Sequence, residues 1–102
     1  MPTRTKSKQQ VLALPNVVRV GDPDSGGGVV TRGASTVLVN NLPVAIPGMP
    51  VTGHGDGAHA GPVTAGGSGT VKAEGQAVIY VGCADTCGHA RSAGSPDVQV
   101  GA

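Results

Sequence analysis

Five side chains able to bind a soft metal ion fall in the second half of this 102-residue chain: His54, His59, Cys83, Cys87 and His89. They are all of its histidines and cysteines. Imidazole nitrogen and thiolate sulfur are the donors of tetrahedral zinc sites, which take four of them. A disulfide between Cys83 and Cys87 would close a very small loop and stabilise little. Metal binding is therefore the stronger reading of the group. Redox chemistry fits poorly, because Cys-x-x-x-Cys here lacks the helix N-terminus that lowers a thiol pKa.

Catalysis fits no better. Four filled positions would leave none for a water to be activated, as metal-assisted hydrolysis requires. The chain has no paired carboxylates placed for acid-base work, no nucleophile motif and no phosphate-cradling Gly-Lys-Ser/Thr. Asp56 and Asp85 are the expected outer partners, fixing histidine tautomers by accepting from the second ring nitrogen.

What must position these side chains is an internal repeat. Gly33-Ala34-Ser35-Thr36-Val37-Leu38-Val39, Gly67-Ser68-Gly69-Thr70-Val71-Lys72-Ala73 and Gly94-Ser95-Pro96-Asp97-Val98-Gln99-Val100 are one phrase written three times. A second phrase precedes each copy: Val18-Arg19-Val20-Gly21, Ala45-Ile46-Pro47-Gly48 and Ile79-Tyr80-Val81-Gly82. From its closing glycine to the next copy is 12 positions in units one and three, and 19 in unit two. Repetition in so short a chain implies one object with pseudo-threefold symmetry.

Each unit reads as a β-hairpin. Residues 36–40 and 42–46 flank Asn40-Asn41, a pair that tolerates the positive φ of a tight two-residue turn. Glu74-Gly75 is the matching turn of unit two. Alternation puts Val37 and Val39 on one face, and Val71 and Ala73 on one face of their strand. The last strand, ending at Val100, is expected to pair with the first, at residues 17–20, closing the circle and leaving no open edge. No segment shows helical spacing over a dozen residues. The fold class is all-β, with short hairpins.

Three glycine-rich loops join the hairpins, at residues 22–28, 49–66 and 83–91, and threefold symmetry makes them converge. Loop one holds no soft donor, loop two holds His54 and His59, and loop three holds Cys83, Cys87 and His89. Cys87 stands five residues after Gly82, as Gly26 does after Gly21, which gives it a repeat-equivalent place in its loop. Cys83 follows the strand-ending glycine, where Asp22 stands in unit one, and suits a turn or a small buried apolar position. The expected ligand set is His54, His59, Cys87 and His89, with Cys83 in reserve. The expected ion is a structural Zn2+, with iron as the alternative.

Composition agrees with such a staple. The chain has no Phe or Trp, one Tyr and 18 Gly, so its core is built from small aliphatic side chains. Burying a Val or Leu contributes about 1.5–3 kcal/mol, and small domains are marginal on that alone. Glycine and proline are abundant enough to suggest disorder, but Val-rich alternation in register with a repeat argues against it. Net charge is +1, with Arg4, Lys6 and Lys8 in the first ten residues. No clustered basic face or stacking aromatic exists for nucleic acid. Val11-Leu12-Ala13-Leu14 stops at Pro15, too short for a signal-peptide core, and no apolar run could span a membrane. Residues 1–15 are expected as a basic arm, flexible or ordered by a partner, and residues 16–102 as the domain.

The order of these phrases resembles the PAAR-repeat family. Its carriers are Val18-Arg19-Val20-Gly21-Asp22-Pro23, Thr36-Val37-Leu38-Val39-Asn40, and Leu42-Pro43-Val44-Ala45-Ile46 at the naming Pro-Ala-Ala-Arg motif. Thr86-Cys87-Gly88 and Gly94-Ser95-Pro96-Asp97-Val98 complete the likeness over residues 16–102. Pro43-Val44-Ala45-Ile46 and Gln76-Ala77-Val78-Ile79 lack the family's arginine. Gly26 stands where many members carry a loop-one histidine ligand, and Met49 and Cys83 replace the usual aspartate after glycine. The resemblance implies a conical domain with zinc near its apex, typically from three histidines and one cysteine, mapping His54, His59 and Cys87 onto matching loops. His89 as the fourth ligand is an inference from this chain, not a family match.

The same resemblance implies a monomer that caps the trimeric β-helical spike of a contractile injection machine, in a phage tail or a type VI secretion system. The hairpin base would sit on the spike and the apex would meet the target cell envelope. Such a protein is a structural membrane-piercing tip, made in the cytoplasm and carried in the virion tail or secreted with the apparatus. The alternatives are an adaptor cap that recruits effectors through residues 1–15, and a small zinc hydrolase.

Overall fold

The computed structural model describes residues 14–101, so residues 1–13 of the expected arm lie outside the described residues. At the centre is a closed triangle of backbone hydrogen bonds. Val18 N–H donates to the Ile79 carbonyl at 3.0 Å, Ile79 N–H to Ala45 at 2.9 Å, and Ala45 N–H to Val18 at 2.9 Å. Each of the three stands three residues before the glycine that closes its phrase, and each is fully buried. The sequence repeat is thus a structural threefold.

Strand β1 (Ala34–Val39) pairs antiparallel with β2 (Leu42–Val44). Asn40 and Asn41 join them with φ of 53° and 67°, the left-handed pair that matches the twist of a two-residue hairpin. A register shift between Ala34 and Leu38 bends the hairpin. Strand β3 (Lys72–Ala73) pairs with β4 (Gln76–Ala77) across Glu74 and Gly75, which also have positive φ. Val71 lies before this short ladder and stays exposed, whereas Ala73 is buried. The face expected for these two residues is therefore not buried along its length, although Val78 N–H still donates to the Val71 carbonyl at 3.0 Å.

The third pairing draws on both ends of the chain. Val17 N–H donates to Val98 at 2.9 Å, Ser95 N–H to Val17 at 2.7 Å and Val100 N–H to Pro15 at 3.1 Å. The expected circle closes. Backbones approach closely at the repeat glycines: a Cβ on Gly33 would lie 2.4 Å from the Val44 carbonyl oxygen, and one on Gly94 would lie 2.5 Å from that of Val17.

Two small apolar clusters fill the interior. The hairpin-side cluster is centred on Val17, Val44 and Val78, which are repeat-equivalent, with Ala34, Ile46, Ala73 and Val100. The other holds Val18, Ala45 and Ile79 with Val30 and Cys83. Met49 and Tyr80 pack against both. At about 1.5–3 kcal/mol for each buried aliphatic side chain, neither cluster is large.

The loops repeat one scheme. Gly21 N–H donates to Val30, Gly48 to Thr64 and Gly82 to Arg91, all at 2.8–2.9 Å. Each loop then bonds to the next: Ser25 N–H to Ala90, Thr52 N–H to Val29 and Thr86 N–H to Val63. The extra length of loop two is a closed excursion. His54 N–H donates to the His59 carbonyl at 2.8 Å, around a single 3-10 turn at Gly57–His59.

Candidate metal centre

The excursion places two histidines over the ring of loops, and loop three supplies the other donors. One ligand atom each from His54, His59, Cys87 and His89 lies within 4.8 Å of all the others, and all four residues are half-buried. The imidazole centroids form a near-equilateral triangle, 5.2 Å for His54–His59, 4.9 Å for His54–His89 and 4.8 Å for His59–His89. His54 Nε2 is 2.9 Å from His89 Nδ1 and 3.8 Å from Cys87 Sγ.

The donor set fits a soft cation in tetrahedral coordination. His54 Nδ1 lies 3.1 Å from the Thr52 carbonyl oxygen. A carbonyl only accepts, so the proton sits on Nδ1 and the Nε2 lone pair faces the cluster. His59 Nδ1 is buried without a hydrogen-bond partner, an orphan of the kind a bound ion satisfies. Three imidazoles and one thiol converging from two loops suit bonds of about 2.0–2.3 Å to a common ion.

Cys83 stands apart. It is buried against Val18, Val30, Ala45 and Ile79, and its N–H closes a turn to Tyr80 just as Asp22 N–H does to Arg19. Both cysteines are free thiols.

The expected carboxylate partners do not serve the histidines. The Thr52 carbonyl takes the place proposed for a carboxylate at His54. Asp56 is exposed and meets His59 only through its backbone, the His59 N–H donating to its carbonyl. Asp85 turns inward to accept from Arg91 Nη2 at 2.8 Å.

Beneath the cluster lies a charged group that sequence reasoning missed. Arg91 is fully buried and repeat-equivalent to Val30 and Thr64, which are equally buried. Its Nη1 donates to the Asp22 carbonyl at 3.1 Å and its Nη2 to the Gly28 carbonyl at 2.9 Å. Nη2 also lies 3.1 Å from Asp24 Oδ2. Asp24 Oδ1 accepts the amides of Gly26 and Gly28. Asp24 and Asp85 are within 4.8 Å of Cys87. The signal available in sequence was an arginine in an apolar repeat position, with aspartates at equivalent places in the two loops that it joins.

These neighbours split the two carboxyls. Burial presses Asp24 up, but its hydrogen bonds with Asp85 and the amides of Gly28 and Gly26, together with the Arg91 charge, outweigh this and leave it at about 2. Burial drives Asp85 up to about 6, Asp24 adding to the rise and Arg91 opposing it in part. Between those values the pair holds one proton and one negative charge, which Arg91 balances.

A family model described as the PAAR motif matches residues 20–90. The chain belongs to the PAAR-motif family. That span covers all four clustered donors, both hairpins and most of the loop ring. No individual curated protein is significantly similar in sequence. PAAR-motif proteins are structural spike-tip proteins, so this chain is a structural protein and not an enzyme. Its His/Cys cluster is of a kind that could hold a metal ion.

Proposed function

We propose that this PAAR-motif protein is the piercing tip that caps a trimeric β-helical spike in a contractile injection machine, a phage baseplate or a type VI secretion system. The observation that carries this reading is the hydrogen-bond triangle of Val18, Ala45 and Ile79. One chain built about a threefold axis can match a trimer without itself forming one. The hairpins supply the matching surface, since Leu38 and Leu42 of unit one, Val71 of unit two and Val98 of unit three are exposed aliphatic residues. Aliphatic groups spread over three units suit the blunt, threefold end of a spike.

The loop ring would face the target envelope. There His54 and His59 from loop two meet Cys87 and His89 from loop three. A bound zinc would supply a cross-link between the two loops, which apolar clusters this small cannot provide. Among the described residues no helix is long and apolar enough to cross a membrane, so on this reading the tip passes into the envelope by force applied through the spike.

The test is the chain mixed with a trimeric β-helical spike protein of a contractile injection machine from the same source, read by native mass spectrometry. One chain per spike trimer is expected, and Leu38→Asp with Val71→Asp should abolish the complex without lowering the melting temperature. No association, or three chains per trimer, would overturn the proposal.

A further inference from the structure

We propose that Gly26 is the positioning residue of the metal centre, because its missing side chain is the space that lets His89 enter as the fourth donor. This rests on the metal reading given above. Loop one lends no donor atom, yet it lies directly under the cluster.

Equivalent hydrogen bonds align the two loops residue by residue. Gly27 N–H donates to Asp24 at 3.1 Å as Gly88 N–H does to Asp85 at 2.8 Å. Gly27 and Gly88 share a φ of 91° and 92°. Gly26 therefore corresponds to Cys87, and loop one points position 26 into the cluster just as loop three points Cys87. By the same alignment Asp24 N–H to Gly28 matches Asp85 N–H to His89, so His89 has only a glycine as its loop-one counterpart.

A Cβ built on Gly26 would lie 2.1 Å from His89 Nδ1, 2.3 Å from His89 Cε1 and 3.1 Å from His54 Nε2. His89 Nδ1 is the atom that stands 2.9 Å from His54 Nε2. A single methyl group on residue 26 and the donor nitrogen of His89 thus claim the same volume. Gly26 has no left-handed φ, so alanine suits its backbone and only space forbids it. The His89 carbonyl is held by Asp85 N–H. The ring, not the chain, must therefore swing away, taking Nδ1 with it. Three donors would remain.

The experiment titrates the full chain with Zn2+ and with Co2+, whose visible absorption reports tetrahedral coordination. Gly26→Ala should weaken zinc binding by about 10–100-fold or more and reduce the tetrahedral Co2+ bands. Gly61→Ala is the control, since a Cβ there meets nothing within 4 Å and its φ is not left-handed; it should bind as the wild type does. In a His89→Ala background Gly26→Ala should cost far less, because both contacts with His89 are gone and only the 3.1 Å approach to His54 Nε2 remains, and that double variant keeps the test readable even if Gly26→Ala alone folds poorly. Wild-type affinity and spectrum in Gly26→Ala, or an equally large loss on adding it to His89→Ala, would overturn the inference while leaving the metal reading standing. A wild-type chain that takes up no zinc would overturn both.

Discussion

Arg91 Nη2 donates to Asp85 Oδ2 at 2.8 Å with both side chains sealed from solvent. The same guanidinium holds two carbonyls of loop one, so a single side chain ties loop three to loop one where the His/Cys cluster does not reach. Arg91→Ala would leave two buried carboxyls without their cation and take one of two donors from each of the Asp22 and Gly28 carbonyls. We expect a loss of about 3–5 kcal/mol, measured by urea unfolding of the zinc-loaded protein. Arg91→Lys should recover little, because an ammonium lacks the planar fork that serves several acceptors at once. A loss below 1 kcal/mol in Arg91→Ala, roughly the worth of an exposed pair, would show that the cluster is not a clamp.

Removing the proposed metal tests the other proposed tie. Chelation, or His54→Ala, or Cys87→Ala, should each lower zinc content and reduce the melting temperature by more than about 10 °C, given that 1 kcal/mol moves a domain of this size by about 4–8 °C. Calorimetry with parallel metal analysis gives the readout. Unchanged melting in all three cases would remove zinc from any structural role.

Gly94 sits where the first and last strands close the circle. Gly94→Ala would set its Cβ 2.5 Å from the Val17 carbonyl oxygen, a backbone atom that cannot rotate aside. We expect destabilisation of about 1–3 kcal/mol. It should be accompanied by faster hydrogen exchange at the Val98 and Val100 amides. Protection equal to the wild type would mean that the closure tolerates a wider strand spacing.

Glu74 clasps one hairpin to the next, accepting from both the hydroxyl and the backbone N–H of Thr36. Those bonds hold its carboxyl below the ordinary value of 4.5. The folded state therefore keeps Glu74 ionised at a pH where the unfolded chain binds a proton. Its contribution is complete above 4.5 and is lost as the pH falls through that value toward the folded pKa. Melting of metal-free wild type and Glu74→Gln should converge between pH 6 and pH 3.5, with the wild type more stable at the upper end. A constant gap across that range would contradict the clasp.

The threefold plan was legible in sequence because its determinants are local. Each phrase ends in glycine three residues after a core position, and the Asn40-Asn41 and Glu74-Gly75 turns are named by residue types that accept positive φ. Histidines and cysteines confined to two loops pointed to one cluster once symmetry made the loops converge. Repeat alignment also separated Cys87, at the cluster, from Cys83, in the apolar interior. The exposure of Val71 was not legible, because alternation says which face a residue takes and not how far its neighbours cover that face.

What the tertiary structure alone decided is how the asymmetric parts fit into that symmetric plan. Arg91 occupies the place of Val30 and Thr64, and nothing local says that a guanidinium there is buried; its Nη1 and Nη2 find Asp85, Asp24 and carbonyls from another loop. Asp85 accepts from that arginine instead of from a histidine, because burial beside a cation outweighs nearness in sequence. The role of Gly26 depends on where His89, far along the chain, places its ring. Turns, strands and repeat boundaries follow from backbone preferences that each residue carries with it. Burial of charge and occupancy of space depend on neighbours that only folding brings together.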